Sequence, residues 1–173
     1  LPKTIGAACI EMLNSANMSF ALCPLLTDGA IEALLTAGTP EQQQTFIPKM
    51  VDGSWTGTMN LTEPQAGSDV GALRTTAVPI TAGPHAGRYK INGTKIYITW
   101  GEHDLAANII HLVLARIPGA PQGSRGISLF IVPKWRVKPD GTIAERNGVT
   151  VPSIEHKMGI NGSSTCVLNL GDD

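Results

Sequence analysis

The first segment whose residue types could do chemistry is Leu61-Thr62-Glu63-Pro64-Gln65-Ala66-Gly67-Ser68-Asp69. It consists mainly of small and turn-forming residues. Such a turn exposes successive backbone N–H groups, and Gly67 allows an anion to approach them closely. With the Ser68 hydroxyl, these groups can hold a pyrophosphate. The same composition is also typical of an ordinary strand-to-loop turn stabilised by Thr, Ser and Asp side chains. The segment alone leaves both interpretations open.

The second segment is Lys95-Ile96-Tyr97-Ile98-Thr99-Trp100-Gly101. On a regular strand, Lys95, Tyr97 and Thr99 share one face, and Trp100 points the other way into the core. An aromatic ring beside a hydroxyl can support a flat heterocycle and hydrogen-bond to its edge. The alternative is an exposed strand face, because Thr and Tyr fit pleated surfaces well.

Other kinds of site find little support in the sequence. The four histidines show no metal-ligand spacing, and neither a nucleophile elbow nor a glycine-rich dinucleotide motif is present. The net charge of −1 gives no indication of a nucleic-acid or polyanion partner, and none is expected. Three widely spaced cysteines indicate reduced thiols. No signal segment and no apolar run of membrane length is visible, so we expect a cytoplasmic protein without a membrane span.

The sequence pattern changes near residue 53 from one typical of helices to one typical of strands, and these are the elements that must position the two segments. Before it, apolar residues recur at helical spacing, and Gly38 is a plausible helix stop. Thr39-Pro40-Glu41-Gln42 predicts a capping box, followed by a helix through about Phe46. Pro48 is expected to end or kink this helix. Residues 1–53 therefore form a helical segment.

From Trp55 onward the pattern is strand and turn. Residues alternate over 55–62, and 109–115, 126–132 and 165–170 are further strand candidates. Asn92-Gly93 predicts a hairpin turn between Arg88–Ile91 and Thr94–Thr99. Several short strands without intervening helices favour an antiparallel β-barrel or sandwich. The predicted fold class is therefore α+β, with a helical segment before the β-domain.

Taken in order, the two segments resemble the acyl-CoA dehydrogenase family. The resemblance rests on Thr62-Glu63-Pro64-x-Ala66-Gly67-Ser68-Asp69, on Asn92–Thr99 and on Gly126–Val132. It covers essentially the whole chain, with 1–53 similar to the end of the family's N-terminal helical domain and 54–173 to its middle β-domain. The sequence of Trp100–Asp104 is most similar to that of the 3-methylmercaptopropionyl-CoA dehydrogenase subgroup.

The resemblance implies an FAD-dependent enzyme that oxidises an acyl-CoA to the 2,3-enoyl-CoA and passes electrons to an electron-transfer flavoprotein. A homo-oligomer is usual in the family. Thr62 and its neighbours would face the flavin's pyrimidine edge, and Tyr97 would pack on the ring. Thr99 would approach N5, and Ser68 would also lie near the acyl-CoA. The full set of implied cofactor-binding residues is Met59, Asn60, Leu61, Thr62, Gly67, Ser68, Tyr97, Ile98 and Thr99.

Several features depart from the family pattern. Met59 stands where an aromatic residue is usual in the family. Gln65 replaces a common Gly, and Trp100 replaces a common Asn or Ser. The C-terminal helical domain that brings the catalytic glutamate is absent. We therefore expect a fragment of a longer protein, with no catalytic base and no turnover of its own. The low charged fraction of 16% is typical of surface covered by other segments or subunits.

Two other functional classes stay open at this stage. The parent protein could be a non-catalytic flavin or acyl-CoA binder on the same fold. Alternatively, the chain could be a β-sandwich interaction module, which would bind no flavin.

Overall fold

The computed structural model describes residues 2–171, and the chain changes from helix to strand between Val51 and Trp55. The helices are α1 (Lys3–Ala37) and α2 (Pro40–Val51). The strands are β1 (Trp55–Asn60), β2 (Thr76–Pro79), β3 (Tyr89–Thr99), β4 (Asn108–Arg116), β5 (Ile127–Pro133), β6 (Trp135–Val137), β7 (Ile143–Arg146), β8 (Val149–Ile154) and β9 (Thr165–Leu170). The predicted α+β fold is confirmed. The division into two domains stays a prediction.

The main sheet is a curled, mixed half-barrel of seven strands. Its order is β1-β4-β2-β3-β9-β8, with β5 paired to β4 as well. Most neighbours are antiparallel, as predicted, but β1 and β4 run parallel over six residue pairs, and β2 and β4 are parallel at Thr76 and Arg116. The chain between them passes through β2 and β3 before it returns, so β4 can lie beside β1 in the same direction. Strands β6 and β7 form a separate two-stranded sheet.

Helix α1 contains a break at Asn17, whose backbone angles are not helical. The Asn17 side-chain oxygen accepts a hydrogen bond from the Phe20 N–H at 3.1 Å. Asn17 thus caps the second half of α1, as short polar residues do at helix N-termini. This second half carries the buried residues of the helix, among them Ala30 and Leu34, and packs on β1.

By length and composition alone, α1 meets the criteria for a membrane-crossing helix. The break at Asn17 divides it, and its C-terminal half lies against the sheet. That packing is what a core helix of a globular domain makes. The expected absence of a membrane span stays a prediction.

The predicted capping box of α2 is confirmed. The Gln42 N–H donates to the Thr39 hydroxyl, and the Gln42 side chain accepts from the Thr39 N–H. Helix α2 continues past Pro48 to Val51, so Pro48 does not end it, and the alternative of a kink at Pro48 stays a prediction. Gly38 does end α1, but in an extended conformation with φ of −73°. A Cβ at Gly38 would lie 2.6 Å from the Leu34 carbonyl oxygen, so close approach explains the glycine.

The predicted hairpin at Asn92-Gly93 is wrong, because β3 runs through it without a turn. The first half of β3 pairs with β2 up to Asn92, and the second half pairs with β9 from Gly93. A Cβ at Gly93 would lie 2.4 Å from the Thr75 hydroxyl oxygen. Gly93 is therefore a site of close backbone approach where the strand changes partners, a recurrent use of glycine in strands.

The predicted face shared by Lys95, Tyr97 and Thr99 is also wrong. The pairing of β3 with β9 shifts between Lys95 and Ile98, and Tyr97 has φ of +57°. A bulge of this kind adds a residue and disturbs the alternation of side chains. Lys95 and Ile98 consequently both point inward, while Tyr97 is exposed. Trp100 is buried as predicted.

Strand β4 divides the hydrophobic core into two clusters, since both of its faces are buried. Val113 faces the interior of the half-barrel, packing with Ile98 and Leu168. Ile110 and Leu112 face the helices. A strand buried on both faces is a nearly continuous apolar run in the sequence, and 109–115 is such a run, interrupted only by His111.

The contact between α1, α2 and β1 depends on Gly57. A Cβ there would lie 2.5 Å from the Ala30 Cβ and 2.7 Å from the Met50 Cε. We expect Gly57→Ala to lower the free energy of unfolding by about 1–3 kcal/mol through overpacking. Urea denaturation of the purified protein measures this.

Gly29→Ala is the matched control for this prediction, because nothing lies within 4 Å of a Cβ at Gly29 in α1. It should be neutral or stabilise by up to about 1 kcal/mol. Equal effects of the two substitutions would contradict the assigned packing.

Candidate functional site

The two sequence segments lie side by side in the structure. The Ile96 N–H donates to the Thr62 carbonyl oxygen at 2.9 Å. The Thr58 hydroxyl donates to the Thr99 carbonyl oxygen at 2.6 Å, and the Lys95 ammonium donates to the Leu61 carbonyl oxygen at 3.0 Å. The end of β1 is thus joined to the bulged end of β3. One surface can therefore contact a ligand through both segments.

This surface presents a flat ring and several hydroxyls. Tyr97 is 59% exposed, because its positive φ turns it out of the half-barrel. Thr62 and Thr99 are half-buried, and Ser68 is exposed. Within residues 2–171, no hydrogen bond involves the side-chain hydroxyls of Thr62, Ser68, Tyr97 or Thr99. These groups remain available to a polar heterocycle, so the donor set fits a flavin.

The turn at Gly67 and Ser68 fits an anion. Both residues are exposed, and the described part of the chain provides no partner for either backbone N–H. The nearest atom to a Cβ at Gly67 would be the Thr62 Cγ2, at 3.8 Å. The backbone is therefore open to a phosphate from outside. These observations fit the predicted pyrophosphate contact, which stays a prediction.

Three of the residues named from the resemblance have inward-pointing side chains. Met59 packs against the cluster that faces the helices, and Ile98 belongs to the interior cluster. The Asn60 amide is fully buried and donates to His111 Nδ1 at 3.3 Å, while its oxygen has no partner in the described residues. Asn60 and Ile98 can meet a ligand only through their backbones, whereas the Met59 side chain is partly exposed.

The sequence reasoning missed the buried ion pair of Glu63 and Lys95, whose charged atoms lie 2.9 Å apart. Neither residue was assigned a role within its motif. The available signal was that Lys95 is the one charged residue of 95–101 and Glu63 is one of two acids in 61–69. The ion pair could not be predicted from the strand pattern, because the bulge turns Lys95 inward.

A second missed network anchors the loop after β3. The Glu102 carboxylate is bound by Lys134 and by Arg146, the latter at 2.8 Å. Burial alone would raise the pKa of Glu102, but hydrogen bonds from these two cations lower it below its usual range. The Glu102 carbonyl oxygen accepts the Ser164 hydroxyl at 2.7 Å. The loop is therefore fixed to the strands around it.

His103 belongs to the same network, because its N–H donates to the Glu102 carboxylate and its carbonyl oxygen accepts from Lys134. Its Nδ1 accepts the Leu105 N–H at 3.2 Å, so Nε2 carries the proton and donates to the Thr56 hydroxyl at 3.0 Å. Burial and the nearby Lys134 lower the pKa of His103, which favours the neutral ring. In the loop 102–104, Glu102 and His103 are therefore anchored by hydrogen bonds and ion pairs.

A separate cleft of about 760 Å³ lies between the helices and the half-barrel. Phe46, Tyr89, Phe130 and Arg136 are among its lining residues. None of the residues implied by the resemblance lines it. The candidate site is instead an open surface.

Comparisons with known proteins show the family of the chain. Residues 58–172 match the family model for the acyl-CoA dehydrogenase middle domain. The chain belongs to the acyl-CoA dehydrogenase family. It is 55% identical over 168 residues to 3-methylmercaptopropionyl-CoA dehydrogenase of Ruegeria pomeroyi, a match that covers 97% of this chain and 28% of that protein. The chain therefore spans little more than a quarter of that relative.

Solved structures give the same assignment. Butyryl-CoA dehydrogenase from Megasphaera elsdenii matches with a TM-score of 0.74 and 32% identity, over 94% of this chain and 38% of that one. An acyl-CoA dehydrogenase complexed with FAD from Bacillus anthracis matches with a TM-score of 0.60 and 34% identity, over 78% of this chain and 19% of that one. The predicted family is confirmed.

Burial of His111 beside Asn60 predicts how the free energy of unfolding depends on pH in the acidic range. Burial lowers the pKa of His111 from 6.5 to about 4. The unfolded chain therefore binds a proton at a higher pH than the folded one. The stability that neutral His111 contributes is complete above pH 6.5 and is lost as the pH falls towards 4.

We expect His111→Gln to remove up to about 1.4 kcal/mol per pH unit from the slope of unfolding free energy in that interval. Urea denaturation at a series of pH values measures it. His156→Gln is the control, because His156 is exposed. An unchanged slope in His111→Gln would contradict the assignment.

Proposed function

We propose that this chain forms one wall of the flavin and acyl-CoA site in an FAD-dependent acyl-CoA dehydrogenase. The observation that carries the proposal is the junction of the end of β1 with the bulged end of β3, where Tyr97 is exposed and the Thr62 and Thr99 hydroxyls have no partner among residues 2–171. Family membership supports the same reading. Acyl-CoA as substrate and an electron-transfer flavoprotein as electron acceptor are parts of the proposal.

When bound, FAD supplies hydride acceptance from the acyl chain. This chain's residues would bind and orient it. The Thr62 hydroxyl and neighbouring N–H groups would donate to the oxygens of the ring edge, where negative charge builds on reduction. Tyr97 would pack on the ring face. Thr99 would place its hydroxyl near the hydride-accepting edge, and Gly67 and Ser68 would hold the pyrophosphate.

The catalytic base is not Glu63, although this acid lies within the motif. Its carboxylate is 3% exposed and accepts hydrogen bonds from Lys95, Thr75 and Arg74. Burial would raise the pKa of Glu63, but these donors outweigh it and lower the pKa to about 2. Such a group is a poor proton acceptor near neutral pH. We propose that a carboxylate outside this chain removes the substrate α-proton.

A cytoplasmic location and a homo-oligomeric state stay predictions. The exposed apolar side chains on the first half of α1 support burial against other segments or subunits. They are Ile5, Ile10, Met12 and Leu13.

The decisive experiment uses the whole protein that contains this chain. Its visible flavin spectrum is recorded, and acyl-CoAs, including 3-methylmercaptopropionyl-CoA and butyryl-CoA, are added without oxygen. We expect the flavin band to bleach. A flavin that stays oxidised with every acyl-CoA would favour a non-catalytic binder. No flavin, even after addition of FAD, would favour an interaction module and contradict the proposal.

Thr99→Val tests the hydroxyl at the hydride-accepting edge. Because the removed donor stabilises charge only as it develops, we expect the rate of flavin reduction to fall roughly 10²-fold with little change in folding. Stopped-flow absorbance measures the rate. Thr36→Val on the exposed side of α1 is the control. An unchanged rate would remove Thr99 from the proposed site.

Gly67→Ala tests the pyrophosphate contact. The added methyl group fits the fold but would occupy the path of the phosphate, so we expect FAD binding to weaken roughly tenfold, about 1.4 kcal/mol. Fluorescence titration of the apoprotein measures it. Gly159→Ala is the control, because nothing lies within 4 Å of its Cβ. Equal affinities of the two variants would place the pyrophosphate elsewhere.

A further inference from the structure

The ion pair of Glu63 and Lys95 lies beneath the candidate flavin surface. Lys95 is fully buried and Glu63 is 3% exposed, with 2.9 Å between their charged atoms. The Lys95 ammonium also donates to the Leu61 carbonyl oxygen at 3.0 Å. Burial lowers the pKa of Lys95, and the hydrogen bond and attraction from Glu63 oppose that shift. The ammonium thus bridges β3 to the segment after β1.

The carboxylate of Glu63 accepts several further hydrogen bonds. Its oxygens accept the Arg74 N–H at 2.7 Å, the Thr75 N–H at 3.0 Å and the Gln65 side-chain amide at 2.7 Å. The Thr75 hydroxyl donates to it as well. With Lys95, it accepts five hydrogen bonds. This saturation leaves it no capacity to bind a ligand or carry a proton.

The network holds a tight turn in place. The Glu63 N–H donates to the Ala66 carbonyl oxygen at 2.9 Å, and the Ala66 N–H donates back to the Glu63 carbonyl oxygen at 3.0 Å. The Thr62 carbonyl oxygen accepts the Ile96 N–H, one residue before Tyr97. The backbone that presents Thr62 and the bulge that presents Tyr97 are therefore linked through the same buried charges.

Stability alone does not require charges at this place. A buried ion pair costs so much desolvation that well-packed apolar residues often replace it without loss, whereas removal of one partner is strongly destabilising. What directed hydrogen bonds add is a fixed geometry. We propose that Glu63 and Lys95 are positioning residues, which hold the Thr62 backbone and the Tyr97 bulge at the spacing that the flavin ring requires. This inference rests on the proposed function.

The test compares Lys95→Met with the double variant Glu63→Leu/Lys95→Met in the whole protein. The single variant should be less stable than wild type, and the double variant should recover most of the lost thermal stability. Three further quantities are measured in each: amide hydrogen exchange at Ala66 and Ile96, FAD affinity, and the flavin reduction potential. Ile110→Val, in the cluster facing the helices, is the control for a small loss of core packing.

For a positioning role, the double variant should exchange Ala66 and Ile96 at least about tenfold faster than wild type. It should bind FAD at least about tenfold more weakly and show a shifted potential, despite its recovered stability. Recovery of exchange, affinity and potential together with stability would overturn the proposal, because the pair would then be merely structural.

Thr75→Val covers the case in which the double variant does not fold. It removes one hydroxyl donor to Glu63 and keeps the Thr75 N–H and the shape of the side chain. We expect the same direction of change, with exchange at Ala66 about threefold faster and FAD about threefold weaker. Unchanged exchange at Ala66 and Ile96 would overturn the proposal.

The exchange measurement separates the two hypotheses. If wild-type protein binds no FAD, the proposed function fails. If exchange at Ala66 and Ile96 were still faster in Thr75→Val than in wild type, the pair would order the turn but not for a flavin. The positioning role towards the ring would then be rejected together with the proposed function.

Discussion

The Glu63 carboxylate is the point at which separate parts of the chain meet. It accepts hydrogen bonds from Lys95 on β3 and from Arg74 and Thr75 on the approach to β2. Because the charge is buried, each of these donors is needed to offset lost hydration. The strands are thus joined at a defined spacing behind the candidate surface. The Leu61 and Thr62 carbonyl oxygens are bonded to Lys95 and Ile96 at this junction, next to the bulge that exposes Tyr97.

A second constraint fixes the helices to the sheet. Strand β4 has apolar side chains on both faces, so it takes part in the interior cluster and in the cluster facing the helices. Gly57 lets β1 approach Ala30 and Met50 more closely than any side chain would allow. Trp100 adds a polar link, since its indole N–H donates to the Ser19 carbonyl oxygen at 2.9 Å. The end of β3 is therefore tied to the second half of α1.

The candidate site is open because its groups belong to a surface and not to an enclosed cavity. The ring and hydroxyls stand on the outside of the half-barrel, and the charged groups beneath them are already paired. This division leaves hydroxyl groups open at the candidate surface and keeps the Glu63 carboxylate paired beneath it. Affinity for a flat cofactor on such a surface depends on further surface that closes over it.

The sequence by itself determined the element types, the capping box at Thr39, most strands and the family, because these depend on local patterns and motif order. It also pointed to the Thr62 and Tyr97 segments. It did not reveal that Asn92-Gly93 lies inside a strand, since contact with Thr75 comes from a distant part of the chain. Nor did it reveal that Lys95 turns inward to Glu63, because strand pairing with β9 creates the bulge at Tyr97. Side-chain direction along a strand depends on its partners, and only the tertiary structure decides which those are.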